Sequence, residues 1–184
     1  MLRFNFVQTS LAGLVLVQRK AIEDDRGFLS RFYCADEFRS AGLDKPIAQI
    51  NHTLTSKKGA VRGLHFQNPP QGHSKLVYCT SGMVLDVVLD LRVGSPSYLK
   101  YVSLELSAGA GNMLYLPEGL AHGFYAVTEA TVAYNVSTVY VPELDDGVLW
   151  NSFGMSWPDI SPVISERDSG FDALADFQSP FKFS

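Results

Sequence analysis

Apolar and polar residues alternate along much of this chain in short runs, the period of strands that bury one face. Across Leu99–Leu106, Tyr101, Ser103 and Glu105 share one face while Val102, Leu104 and Leu106 share the other, which should meet the core. Further strand-like runs are Gly27–Tyr33, Ala48–Leu54, Val61–Gln67, Lys75–Thr80, Met83–Leu91, Asn112–Leu116, Gly123–Val127 and Thr131–Tyr140. Turn residues separate them at the short spacing of a β-sandwich or barrel.

Ser81-Gly82 predicts a hairpin, because glycine takes the positive φ of a tight turn, so the runs on either side should pair antiparallel. Ala35–Ala41, closed by Gly42, and a stretch after Ser165 read as helical, which leaves no candidates for the long crossovers of a parallel sheet. The expectation is an all-β fold in a single domain over residues 1–184. Its core runs from about residue 15 to 157, and the proline-marked tail 158–184 packs on it.

Composition agrees: 46% hydrophobic and 18% charged residues are ordinary for a globular protein, and 12 Phe, 8 Tyr and 2 Trp supply bulk that suits pleated surfaces. A net charge of −4 lacks the basic footprint that displaces counterions from a phosphate backbone, so no nucleic-acid partner is expected. The apolar run Leu11–Val17 is too short to span a bilayer and reads as a strand, so no membrane partner is expected either. With no address signal the expected location is cytoplasmic. Cys34 and Cys79 show no CxxC spacing and read as buried thiols of a reducing compartment, with a disulfide between them as the alternative.

Two windows carry candidate chemistry. In Arg62-Gly63-Leu64-His65-Phe66-Gln67, Arg62 and His65 would point to opposite faces of a regular strand unless Gly63 permits a bulge. Taken alone, a strand histidine is more often a satisfied core or surface group. In the second window Gly111, Pro117, Gly119 and His122 reproduce the spacing of the second cupin motif, with Ala126 where that motif ends in Asn. A metal cupin would supply His-x-His and a Glu from the first motif. Here His65 and His73 stand eight residues apart with no Glu following, so no metal and no other cofactor is expected.

Together with Asp25-Arg26-Gly27-Phe28, Lys75-Leu76-Val77, Asp86–Arg92, Ser95-Pro96-Ser97, Leu116–Phe124, Tyr134, Tyr140, Trp150-Asn151 and Trp157-Pro158, these windows resemble the dTDP-4-dehydrorhamnose 3,5-epimerases, in order from about Val17 to Asp168. The resemblance implies a cupin-type β jelly roll, a double-stranded β-helix barrel with short flanking helices, in a homodimer that exchanges strands. It implies an isomerase that inverts C3 and C5 of a nucleotide-linked 4-keto-6-deoxyhexose by removing and returning carbon-bound protons, dTDP-4-dehydro-6-deoxyglucose becoming dTDP-4-dehydrorhamnose.

A ketone acidifies the protons on its neighbouring carbons, so the chemistry needs a base on one face, an acid on the other, and positive charge at the enolate oxygen. Resemblance assigns His65 as base with Asp168 as its partner, Lys75 near the keto oxygen, and Tyr134 as acid. By the same resemblance His122 and Arg62 hold the substrate, Tyr140 stacks on the nucleobase, Arg26 and Arg167 join Arg62 as cationic contacts to the diphosphate, and Gln49 and Asn51 belong to the binding set.

Three positions depart from the family pattern: Arg31 replaces a usual Glu, Ile50 between Gln49 and Asn51 replaces an Asp, and His73 replaces a Gln ahead of Lys75. With Arg31 counted in the nucleotide subsite, a donor there would face the N3–H donor of thymine but suit the acceptors of cytosine. That opens the alternative of a C3- or C5-only epimerase acting on a CDP-linked or other 4-keto sugar. A metal-dependent cupin and a non-catalytic sugar-binding cupin are the alternatives from other classes.

Overall fold

The computed structural model describes residues 2–183. In chain order the strands are β1 (Phe4–Gln8), β2 (Val15–Arg19), β3 (Ile22–Asp24), β4 (Gly27–Leu29), β5 (Gln49–Thr55), β6 (Val61–Gln67), β7 (Lys75–Ser81), β8 (Met83–Asp90), β9 (Tyr101–Ser107), β10 (Asn112–Leu116), β11 (Leu120–Ala126), β12 (Ala130–Val136) and β13 (Asp145–Gly147), with helices α1 (Ala35–Ser40) and α2 (Glu166–Ser169). A six-stranded sheet has the order β1-β2-β10-β7-β12-β5, a five-stranded sheet the order β13-β6-β11-β8-β9, and β3 pairs only with β4. Neighbouring strands run antiparallel throughout these sheets. This is the all-β jelly-roll sandwich expected of the chain, and no helix among the described residues is long and apolar enough to cross a membrane.

The core lies between the two sheets, where Val77, Cys79, Leu114 and Val132 of one face Val84, Val88, Leu106 and Phe124 of the other. Each sheet is also covered outside. Phe38 of α1 packs on Val17, Leu76, Tyr78 and Met113, while Phe181, Leu174 and Phe177 of the C-terminal tail cover Leu64, Phe66, Val87 and Leu89. A strand buried on both faces needs no alternation. That is why Met83–Asp90 reads as an almost unbroken apolar run, with Asp86 and Asp90 its only charges.

The structure corrects several local expectations. Ser81-Gly82 is not a hairpin: β7 belongs to the six-stranded sheet and β8 to the five-stranded one, so the glycine, at φ +72°, turns the chain from one sheet into the other. A Cβ at Gly82 would overlap the Glu129 carbonyl. The strand placed at Leu11–Val17 starts only at Val15, because Leu11 and Leu14 are apolar to fill the core from a turn. The Gly27–Tyr33 run stops at Leu29, and the Thr131–Tyr140 run at Val136. Strand β13 has the sequence Asp-Asp-Gly and carries no strand signal at all.

The expected irregularity at Gly63 is present. His65 pairs with His122 while Arg62 pairs with Phe124, three steps along β6 against two along β11. The extra residue turns Arg62 onto the same face as His65, while Leu64 and Phe66 stay under the tail. Gly63 takes φ +119°, and a Cβ there would stand 2.5 Å from Gly123 Cα. We expect Gly63→Ala to destabilise the protein by about 2–4 kcal/mol, from backbone strain and the clash between strands, as read by equilibrium urea unfolding; a change below about 0.5 kcal/mol would show that the two strands can part freely.

Candidate active site

Between the two sheets lies a cavity of about 440 Å³. Period-2 geometry decides what reaches it: Gln49 and Asn51 on β5, Lys75 on β7 and Tyr134 on β12 point in from the six-stranded sheet, and Arg62 and His65 on β6 and His122 on β11 from the five-stranded sheet. Tyr140 and Arg167 line the cavity from the segments beyond β12 and at α2.

His65 Nε2 lies 2.8 Å from Asp168 Oδ1, and Asp168 Oδ2 accepts from the Gly63 amide at 2.9 Å. The Ser165 hydroxyl caps α2 by accepting from the Asp168 amide at 3.1 Å, which fixes the carboxylate beneath the imidazole. Burial pushes the His65 pKa below its ordinary value against the opposing pull of Asp168, with the Lys75 and Arg167 charges adding to the downward direction. Burial alone would raise Asp168, but hydrogen bonds from His65, Gly63 and Ser165 outweigh it and hold it low. The pair is therefore a neutral imidazole donating from Nε2 to a carboxylate, with Nδ1 left as the basic nitrogen. The His65 side chain stays 28% accessible, enough for a ligand to meet it.

Lys75 is buried and reaches across the sandwich, donating from Nζ to the His65 carbonyl at 3.2 Å. Burial lowers its pKa to about 8, and Asp145 and Asp86 limit the fall. Burial raises the Tyr134 pKa, with Asp145 acting in the same direction, so the phenol keeps its proton. His122 Nε2 lies 2.8 Å from Asp86 Oδ2, a buried carboxyl that burial pushes upward and that His122 and Lys75 pull back down.

Toward solvent, Asp145 Oδ2 accepts from the Tyr140 hydroxyl at 3.0 Å and pairs with Arg167 at 2.7 Å. Gln49 donates to Asn51 at 2.9 Å and accepts from the Tyr140 amide at 3.0 Å. Arg62 Nε donates to Thr55 at 2.9 Å. Two expected binding residues lie elsewhere in this chain. Arg26 is exposed at the turn of the β3–β4 hairpin, paired with Asp24 at 2.6 Å, because that hairpin stands apart from both sheets. Arg31 pairs with Glu37 of α1 at 3.1 Å, so the guanidinium invoked for cytosine is engaged outside the cavity.

Sequence reasoning missed Asp86, Asp145 and Phe171. Asp86 had a signal, since it occupies an inward position between Val84 and Val88 where a carboxylate needs a partner. Asp145, which organises the cavity mouth, and Phe171, whose ring meets His65 edge-on at 5.7 Å, had none. His65, His73 and His122 share the cavity, yet among the described residues no three His, Cys, Asp or Glu side chains are grouped to hold one metal ion.

The family model for dTDP-4-dehydrorhamnose 3,5-epimerase matches residues 8–176. The chain is 39% identical over 182 residues to the dTDP-4-dehydrorhamnose 3,5-epimerase of Sinorhizobium fredii, covering 97% of this chain and 93% of that one. It is 41% identical over 155 residues to a dTDP-4-dehydrorhamnose 3-epimerase of Streptomyces niveus, covering 82% and 73%. The structure of the dTDP-6-deoxy-D-glucose-3,5-epimerase of Legionella pneumophila in complex with dTDP-4-keto-L-rhamnose matches with TM-score 0.92 at 29% identity, over 98% of this chain and 99% of that one. A half-buried His–Asp pair, a lysine and a phenol converging on one cavity of a jelly roll thus sit in a chain that belongs to the dTDP-4-dehydrorhamnose 3,5-epimerase family.

Proposed function

We propose that this chain inverts C3 and C5 of dTDP-4-dehydro-6-deoxyglucose, giving dTDP-4-dehydrorhamnose, with His65 as base, Tyr134 as acid and Lys75 at the developing enolate oxygen. The observation that carries the reading is that base and acid stand on opposite walls: His65 on β6 of the five-stranded sheet, Tyr134 on β12 of the six-stranded one. A flat enolate held between them loses its proton to one wall and regains it from the other, which is inversion. Lys75 would meet the oxygen as charge grows there, at the buried inner end of the cavity where that attraction is stronger than in bulk water. Asp168 stabilises the imidazolium formed when His65 takes the proton. Arg62 and Arg167 would hold the diphosphate, with Tyr140 against the base and His122, Gln49 and Asn51 completing the contacts.

We also propose a homodimer, into whose partner cavity the β3–β4 hairpin carries Arg26. Phe28 and Leu29 on that hairpin are 69% and 68% exposed, and Ile50 and Leu54 on the edge strand β5 are 64% and 57% exposed, an apolar surface that a second copy would cover. The cytoplasm, where nucleotide-activated sugars are found, is the proposed site of action; Cys34 and Cys79 as free thiols agree with it.

In D₂O the enzyme should take up deuterium at both C3 and C5; uptake at C3 alone would make it a monoepimerase like the Streptomyces niveus relative. His65→Ala should slow exchange by about 10²–10⁴-fold. Tyr134→Phe should retain exchange while losing inversion, because His65 can still remove and return a proton on its own face. Equal loss of both in the tyrosine variant would reject the two-wall mechanism.

The pH profile of kcat/KM should be a bell. Its acid limb lies below the ordinary histidine value of 6.5, since His65 loses its basicity only when protonated and burial lowers that pKa. Its basic limb lies near pH 8, where Lys75 gives up its charge. Asp168→Asn removes the carboxylate that favours the imidazolium and should move the acid limb lower, while Lys75→Arg, which does not titrate in this range, should abolish the basic limb. By light scattering, Phe28→Asp should shift the protein from dimer to monomer; a monomeric wild type would discard the hairpin exchange.

A further inference from the structure

His73 lies two positions before Lys75, where the chain enters β7, and it lines the cavity beside Lys75 and His122. Buried Lys75 and His122 mark this as the inner end, as exposed Tyr140 marks the mouth. Most polar groups around it are committed, His65 to Asp168, His122 to Asp86 Oδ2, Lys75 to the His65 carbonyl and Arg62 to Thr55, while Asp86 Oδ1 is another buried atom without a partner among the described residues. Both ring nitrogens of His73 are buried, and neither meets a hydrogen-bond partner among the described residues. Burial, with the Lys75 and His122 charges adding to it, lowers the pKa to about 3, so the ring is neutral, with one donor and one acceptor nitrogen. A neutral imidazole left unmet at the end of a polar cavity is costly, and a turn of this partly buried ring would bring one of its nitrogens to the cavity, where a bound molecule can satisfy it.

We propose that His73 is a specificity-determining residue of the hexose subsite, hydrogen-bonding a ring hydroxyl at C2 or C3 of the sugar. A hydroxyl fits because it donates or accepts and so suits whichever nitrogen faces it, whereas a keto oxygen only accepts. A phosphate prefers the cationic groups, of which Arg167 stands with Tyr140 at the mouth. The assignment rests on the epimerase reading above for the identity of the sugar.

The test compares wild type, His73→Leu and His73→Gln on dTDP-4-keto-6-deoxyglucose and on its 2-deoxy and 3-deoxy counterparts, reading deuterium exchange at C5 and the Kd of each sugar nucleotide and of dTDP. With the full sugar, His73→Leu should lower kcat/KM by about 10- to 100-fold, chiefly through KM. With the analogue lacking the contacted hydroxyl it should match wild type within about 2-fold, and dTDP should bind all three proteins alike. His73→Gln, which keeps a donor and an acceptor, should recover most of the loss. An equal loss on all three sugars, or a matching loss of dTDP affinity, overturns the proposal, since a ring that only packs or orders solvent cannot tell one sugar from another. Should wild type bind dTDP yet exchange no sugar proton, the epimerase reading fails by itself. The sugar-nucleotide Kd values still decide the role of His73, a loss confined to nucleotides carrying the contacted hydroxyl supporting it and a uniform change rejecting it.

Discussion

One carboxylate organises the cavity end of this molecule. Asp168 accepts from the Gly63 amide and from His65, so it holds the bulged backbone and the imidazole that the bulge makes usable. A half-exposed carboxylate pair contributes little, but Asp168 is buried, and its partners satisfy it with charge-assisted bonds that are shorter and stronger than neutral ones. The bulge needs glycine on both strands: a Cβ on Gly123 would stand 2.6 Å from the Arg62 carbonyl, as one on Gly63 would meet Gly123. Arg62, His65 and His122 face one cavity because β6 and β11 can approach so closely there.

The sandwich supplies the other half of the design. Two sheets whose inward faces are apolar at one end and polar at the other shape the cavity between them, and the six-stranded wall brings Lys75 and Tyr134 opposite His65. Along β7 the inward positions run Lys75, Val77, Cys79, and along β12 Val132, Tyr134, Val136. Cavity lining and core packing therefore share strands, and the packed end keeps the cavity end in register.

Much of this was legible in the residues. Motif spacing singled out His122, the resemblance supplied Lys75 and Tyr134, and Gly63 between Arg62 and His65 was the one place where a bulge could bring those two side chains to one face. The union of His65 with Asp168 was not legible in the same way: 103 residues separate them, and only the family resemblance joined them. The turn at Ser81-Gly82 misled because local glycine chemistry reports that a chain turns, not which sheet it joins afterwards. Arg31 misled in another way, since its partner Glu37 sits on a helix whose position follows from packing Phe38 against the six-stranded sheet.

The segment that carries Asp168 lies 103 residues along the chain from the histidine it holds. Until it has folded over Leu64 and Phe66, the imidazole of His65 has neither its carboxylate nor its Phe171 neighbour. A truncated or clipped chain could keep much of the sandwich and yet hold a histidine of the wrong orientation and basicity. The surroundings proposed to make His65 reactive thus depend on the docking of a distant segment, and not on the sandwich alone.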